Sequence, residues 1–131
     1  MARTPSNMLP LGTTAPNFDL IDVTSDSTVS LDNLKGEKGT IIMFICNHCH
    51  FVKYVNSTIA SMGQQYHGNE ISFIAISSND VKNYPEDSPE LMKLNAIEII
   101  LIFLTYMMSH NKLQKIMMQH VLPIFICLIL N

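Results

Sequence analysis

Two apolar runs dominate the middle of the chain, and a helical pattern separates them. Thr40 to Cys46 is nearly continuously apolar and rich in β-branched residues, which is typical of a strand buried on both faces of a sheet. Ile71 to Ile76 is a second run of the same kind. Apolar residues recur at helical spacing between the two runs and predict a helix to about Tyr66, with a buried face of Val52, Val55, Ile59 and Met62. Strand, helix and strand with short connections predict a βαβ unit with parallel strands.

Shorter patterns flank this unit on both sides. The apolar residues of Phe18 to Leu31 bracket a polar turn from Thr24 to Thr28, which predicts a hairpin. Leu31 to Gly36 is typical of one helical turn that ends at a glycine. A second helix is predicted to begin at Ser88, which precedes a proline suited to a first helical position. The elements agree with an α/β domain up to about residue 95.

Composition narrows the class of protein. The chain has 131 residues, of which 47% are hydrophobic and 15% charged, so one domain with a packed core is expected. A formal net charge of −3 gives no basic surface for nucleic acid or for an anionic membrane. Met1 to Asn7 is polar and does not resemble a secretory signal, so the cytoplasm is the expected compartment.

The candidate chemistry lies where the first apolar run meets the helix. Cys46 ends the strand, and Cys49 falls in the first turn of the helix, where amide groups and the helix dipole stabilise a thiolate. The spacing lets Cys49 resolve a mixed disulfide made by Cys46. Cys46 is expected to lie nearer the solvent and to react faster. His48 stands between the two cysteines and is a candidate for tuning their redox balance by its positive charge.

Three other interpretations of this motif stay open. The cysteines can be inert core residues, since free cysteine packs as a small hydrophobe. Cys46, His48, Cys49 and His50 offer metal ligands, but no second ligand pair occurs at zinc-site spacing, so no metal is expected. With His50 the motif reads C-x-x-C-H, the signature of c-type haem attachment. A porphyrin would have to displace the buried strand, and no cofactor is expected.

The sequence resembles the thioredoxin-like, peroxiredoxin-like proteins of the alkyl hydroperoxide reductase and thiol-specific antioxidant superfamily. The resemblance covers about residues 9–95 and rests on four segments, namely Ala15–Phe18, Ile42–Lys53, Phe73–Asp80 and Tyr84–Glu90. It implies a thioredoxin-like α/β fold, with Cys46 as the nucleophile and Cys49 as the resolving thiol. The implied activity is that of a thiol–disulfide oxidoreductase or antioxidant protein, with a protein or small-molecule thiol as its redox partner.

Two departures from the family pattern bear on the activity. His50 stands where the family usually has proline, directly after the second cysteine. The P-x-x-x-T-x-x-C pattern of true peroxiredoxins is absent before Cys46 and before Cys49. Disulfide exchange is therefore the expected chemistry, in preference to direct peroxide reduction.

The tail after Asn95 differs from the rest of the chain. It is strongly apolar without amphipathic order, and its two apolar runs are shorter than the roughly 20 residues that span a bilayer, so a membrane role is not favoured. Read from the third base of each codon, Met117–Met118 specifies aspartate and Met118–Gln119 specifies alanine. The shifted stretch that follows permits a threonine–proline pair, as in the family. A one-frame slip between Ala96 and Ile99 accounts for this pattern.

The sequence thus predicts a partial thioredoxin-like domain over residues 1–95 and an atypical, out-of-frame tail over residues 96–131. In this prediction the C-terminal half of the fold is missing or replaced. The strand that ends at Cys46 then lacks one neighbour and exposes an apolar edge unless the tail covers it. Activity can be lost in such a chain, and the alternative function is that of a non-catalytic remnant or a membrane-associating protein.

Overall fold

The structure, a computed structural model, contains a six-stranded mixed sheet. It describes residues 10–66, 71–77 and 81–98, and the backbone of residues 104–108 and 126–130. The strands are β1 (Asp19–Asp22), β2 (Ser27–Ser30), β3 (Gly39–Phe44), β4 (Ile71–Ser77), β5 (Leu104–Met108) and β6 (Ile126–Leu130). The helices are α1 (Leu31–Leu34), α2 (His50–Tyr66) and α3 (Pro89–Glu98), with a 3₁₀ turn at Pro85–Asp87. Across the sheet the strand order is β2-β1-β5-β4-β3-β6.

The predicted βαβ unit is confirmed. Strands β3 and β4 are parallel, with Gly39 opposite Ile71 and Phe44 opposite Ile76, and α2 connects them. Both faces of β3 are covered, because Met43 belongs to the core cluster that contains α2 and α3, whereas Ile42 belongs to the cluster on the α1 face. The strand ends at Phe44, two residues earlier than the apolar run suggested, which leaves Cys46 in the connection to α2.

The predicted hairpin is also present, with β1 and β2 antiparallel. The Asp22 carboxylate organises its turn by accepting hydrogen bonds from the Thr24 amide at 2.9 Å and from the Ser25 hydroxyl at 2.7 Å. Asp26 closes the turn at a φ of 57°, in the left-handed region that aspartate tolerates better than most residues. These local contacts fix the turn of a hairpin that lies at one edge of the sheet.

The buried face of α2 differs in part from the prediction. Val52 and Ile59 are buried as expected, but Met62 is 39% exposed and Gly63 takes the buried position of the last turn. A glycine lets the helix lie close to the structure beneath it, since it has no side chain to place there. The apolar periodicity therefore identified the helix correctly and misplaced its face by one residue near the C-terminal end.

Helix α3 begins where the sequence placed it. Ser88 caps the helix, since its carbonyl accepts the Met92 amide at 2.9 Å and its hydroxyl accepts the Leu91 amide at 3.4 Å. Pro89 occupies the first helical position, where its missing amide hydrogen leaves no hydrogen bond unmade. Met92 and Ala96 face the core cluster that also contains Cys46.

The tail covers the edge of β3 that would otherwise be open. The backbone of β6 pairs antiparallel with β3 over five residue pairs, from Gly39–Leu130 to Met43–Ile126. Strand β5 pairs with β4, so both tail strands join the sheet. The domain boundary at residue 95 and the frame slip stay predictions. Most of the tail lies outside the described residues.

Met92→Ala tests the packing of α3 against the core cluster that contains Cys46. Met92 is 0% exposed, so truncation leaves a cavity and should lower the free energy of unfolding by about 2–5 kcal/mol. Leu94→Ala is the matched control on the same helix, because Leu94 is 54% exposed and should change stability by no more than about 0.5 kcal/mol. Urea unfolding of the two variants measures the difference. Equal losses would mean that α3 does not pack on the sheet as described.

Candidate active site

The candidate residues lie on the loop between β3 and α2. The loop continues the line of the sheet for one residue, since the Ile45 amide donates to the Ile76 carbonyl at 3.0 Å. Cys46, His48 and Cys49 then follow within four positions, and both cysteines are in the thiol form. Because β3 and β4 are parallel, this loop and the segment that follows β4 meet at the same edge of the sheet.

The two cysteines differ in exposure, and the difference is opposite to the one expected. Cys46 is 1% exposed and packs in a core cluster with Val52 and Met92, whereas Cys49 is half-buried. The expectation that Cys46 lies nearer the solvent is therefore wrong. Cys46 is buried because β3 ends two residues before it, and the chain then turns into the core cluster that also contains Met92 of α3. A haem attached at Cys46 would have to displace this core.

Cys49 stands one position before the helix, and not in its first turn as expected. Helix α2 begins at His50, and the Cys49 carbonyl accepts the Lys53 amide at 3.0 Å, which is the first hydrogen bond of the helix. Cys49 is thus the residue that caps the helix. A thiolate at such a position is stabilised by the unpaired amides and by the helix dipole.

A buried carboxylate from a distant part of the chain holds the loop in place. Asp87 is 0% exposed and belongs to the 3₁₀ turn between β4 and α3. Its Oδ1 accepts the amides of Asn47 at 2.6 Å and of His48 at 3.2 Å. Its Oδ2 lies 2.6 Å from Nδ1 of His48. An ionised group is costly to bury unless hydrogen bonds satisfy it, and these contacts supply them.

The side chain of Asn47 joins the same loop to α3. Its Nδ2 donates to the Glu86 carbonyl at 2.8 Å, and its Oδ1 accepts from Asn95 Nδ2 at 2.9 Å. Both ends of this amide are therefore engaged, which fixes the side chain in one orientation. Asn47, which stands between Cys46 and His48, thus anchors the loop to α3.

Tyr84 completes the surroundings of His48. The two rings are stacked, with centroids 4.2 Å apart and planes inclined by 13°. The His48 side chain is 27% exposed. Asp87, Tyr84 and Asn95 had no assigned role at the sequence level, although the segment Tyr84–Glu90 was part of the family resemblance. No local pattern distinguishes a buried aspartate from an exposed one in a polar loop, so only this resemblance could have drawn attention to it.

The arrangement also contains potential metal ligands. Among the described residues, atoms of Cys46, His48 and Asp87 lie within 4.8 Å of one another and could face one ion. In a tetrahedral zinc site, however, neighbouring nitrogen and oxygen ligand atoms lie roughly 3.3 Å apart. The 2.6 Å separation of His48 Nδ1 from Asp87 Oδ2 is that of a hydrogen bond. The geometry favours a hydrogen-bonded histidine–aspartate pair beside a thiol.

In the described part of the chain, no helix is both long and apolar enough to cross a membrane.

None of the curated proteins matches the chain. Among solved structures, an uncharacterised conserved protein from Geobacillus kaustophilus is 42% identical with a TM-score of 0.81, and the match covers 88% of this chain and 62% of that one. A hypothetical protein from Sinorhizobium meliloti 1021 is 26% identical with a TM-score of 0.80 and the same two coverages. The chain thus spans less than two thirds of the length of either protein.

A more distant structure has a similar fold. A thiol:disulfide interchange protein from a Bacteroides species is 18% identical with a TM-score of 0.71, and the match covers 93% of this chain and 76% of that one. The model of the AhpC/TSA family matches residues 11–119, which include both strands of the βαβ unit, the cysteine loop and Asp87. Because this match extends over most of the sequence, the chain belongs to the AhpC/TSA family and has a thioredoxin-like α/β fold.

Proposed function

We propose that this protein is a thiol–disulfide oxidoreductase in which Cys46 and Cys49 form a reversible disulfide. The observation that carries the proposal is the placement of two thiols on one short loop, between a parallel strand and the cap of a long helix. Family membership and the fold shared with a thiol:disulfide interchange protein agree with redox chemistry of this class. The absence of the P-x-x-x-T-x-x-C pattern favours disulfide exchange over peroxide reduction.

The proposed reaction begins with the thiolate of Cys46. It attacks one sulfur of a partner disulfide, a new bond joins Cys46 to that sulfur, and the other partner sulfur leaves as a thiolate that takes up a proton. Cys49, as a thiolate, then attacks the Cys46 sulfur, and the partner is released as its second thiol. The chain has lost two electrons to the partner and holds a Cys46–Cys49 disulfide. A reducing compartment such as the cytoplasm would restore the dithiol.

The surroundings of the loop suit a protein or small-molecule thiol partner. Phe51 and Tyr54, on the first turns of α2, are 54% and 87% exposed, and Tyr84 beside His48 is 46% exposed. Aromatic side chains give contact surface at low entropic cost, and such residues are enriched where proteins bind one another. Because Cys46 is buried, the loop must move before a partner as large as a protein reaches it, so small disulfides should react first.

Mild oxidation should link Cys46 to Cys49 and leave Cys127 reduced. Cys127 pairs with Ile42 across β3 and β6, four positions before Cys46, and four residues of a strand span roughly 13 Å. A disulfide needs Cα atoms no more than about 7 Å apart. Mass spectrometry of tryptic peptides identifies the linked pair. A Cys46–Cys127 link, or two thiols that resist oxidation, would support the alternative of a non-catalytic remnant.

The order of attack is tested by trapping a mixed disulfide with a small aromatic disulfide. In Cys49→Ser the attacking thiol remains and the resolving thiol is gone, so the adduct on Cys46 should persist. In the matched Cys46→Ser chain the proposed nucleophile is gone, and the adduct on Cys49 should form more slowly although Cys49 is the more exposed cysteine. Mass spectrometry over time measures both adducts, with Cys127→Ser present in each chain. Faster and more stable labelling of Cys49 would reverse the assigned roles.

A further inference from the structure

Asp87 has no part in disulfide exchange as written above, yet it is the most completely buried charged residue of the site. Its carboxylate reaches across about 40 positions of sequence to the loop that carries both cysteines. Its Oδ2 is directed at the ring of His48, and one atom from each of Cys46, His48 and Asp87 lies within 4.8 Å of the others. A purely structural anchor would need only the contacts to the two backbone amides.

The hydrogen bonds of Asp87 limit where the His48 ring can carry its proton. The amides of Asn47 and His48 can only donate, so Oδ1 of Asp87 is an acceptor. In the ionised carboxylate Oδ2 is an acceptor as well, and Nδ1 of His48 is then the donor across the 2.6 Å contact. In a neutral ring with its proton on Nδ1, the other nitrogen, Nε2, has a lone pair that can accept a proton.

The ring is held in orientation from two directions. Asp87 binds its Nδ1 edge, and Tyr84 stacks against its face at a centroid separation of 4.2 Å. A ring fixed in this way loses little further freedom when it takes part in a reaction. The separation of up to 4.8 Å between Cys46 and the pair is longer than a hydrogen bond, and one water molecule or a rotation of the thiol side chain can bridge it.

We propose that Asp87 is a positioning residue that makes His48 the proton acceptor and donor for Cys46; this inference rests on the proposed function. His48 takes the thiol proton of Cys46 at Nε2, and Asp87 stabilises the imidazolium that results. The Cys46 thiolate attacks the partner disulfide, a bond forms between Cys46 and one partner sulfur, and the partner disulfide bond breaks. The leaving thiolate takes the proton back from Nε2, so no net charge accumulates in the core.

Asp87→Asn separates this role from that of a structural anchor. The asparagine oxygen can still accept the Asn47 and His48 amides, but its nitrogen donates to Nδ1 of His48, so the ring proton moves to Nε2 and closes the accepting position. We expect the alkylation of Cys46 by iodoacetamide at neutral pH to slow about tenfold in a Cys49→Ser, Cys127→Ser chain. Glu86→Gln is the matched control, because it removes a neighbouring carboxylate that is 62% exposed, and it should leave the rate unchanged.

The slowing of Cys46 alkylation by Asp87→Asn must depend on His48. In a His48→Asn background, which should itself slow alkylation about tenfold, Asp87→Asn should change the rate by less than about twofold. Equal slowing by Asp87→Asn in both backgrounds, or none in either, overturns the proposal and leaves Asp87 as an anchor. If Asp87→Asn does not fold, His48→Asn alone decides, and an unchanged alkylation rate with an unchanged urea midpoint overturns the proposal.

The same chains distinguish this inference from the proposed function. Alkylation measures the state of the Cys46 thiol without requiring any exchange with a disulfide. Exchange is measured separately, in the chain with both Cys46 and Cys49, against a small aromatic disulfide. A chain that exchanges disulfides but does not respond to Asp87→Asn retains the proposed function and refutes the inference. A chain whose alkylation responds as expected but that does not exchange disulfides retains the proton transfer between Cys46 and His48 and refutes the proposed function.

Discussion

The geometry of the site depends on the burial of one carboxylate. Asp87 is 0% exposed, and its charge can be accommodated in the core only because the amides of Asn47 and His48 and the ring of His48 face it. The loop between β3 and α2 must therefore adopt the conformation that presents these donors. The side chain of Asn47 adds hydrogen bonds to Glu86 and Asn95, so the loop is fastened to the segment before α3 as well as to α3 itself.

The parallel arrangement of β3 and β4 makes this contact possible. Both strands end at the same edge of the sheet, so the loop after β3 and the 3₁₀ turn after β4 are neighbours in space although about 40 residues separate them in sequence. In this arrangement Cys46 is buried, because it lies in the core cluster that contains Met92 and Ala96 of α3. In our account, the proton transfer to His48 and a movement of the loop together give a buried thiol its reactivity.

Most of the fold around the site could be predicted because it is coded locally. The apolar runs, the helical spacing and the Ser88–Pro89 cap each depend on residues within a few positions of one another, and the structure contains the elements that they predict. The placement of the site residues could not be predicted in this way, because it depends on contacts between distant parts of the sequence. The burial of Cys46 depends on where β3 ends and on the packing of α3, and the role of Asp87 depends on contacts across about 40 positions. A single sequence gives no local sign of either.

The protonation of His48 is the most direct test of this account. Nitrogen NMR of an isotope-labelled chain at neutral pH, with Cys46 reduced, distinguishes a ring that carries its proton on Nδ1 from one that carries it on Nε2 alone. The account predicts a proton on Nδ1, held by Asp87, and its transfer to Nε2 in the Asp87→Asn chain. A His48 ring that carries a proton on Nε2 in the unsubstituted chain, whether or not Nδ1 is also protonated, would contradict the account, because Nε2 could then not accept the proton of Cys46.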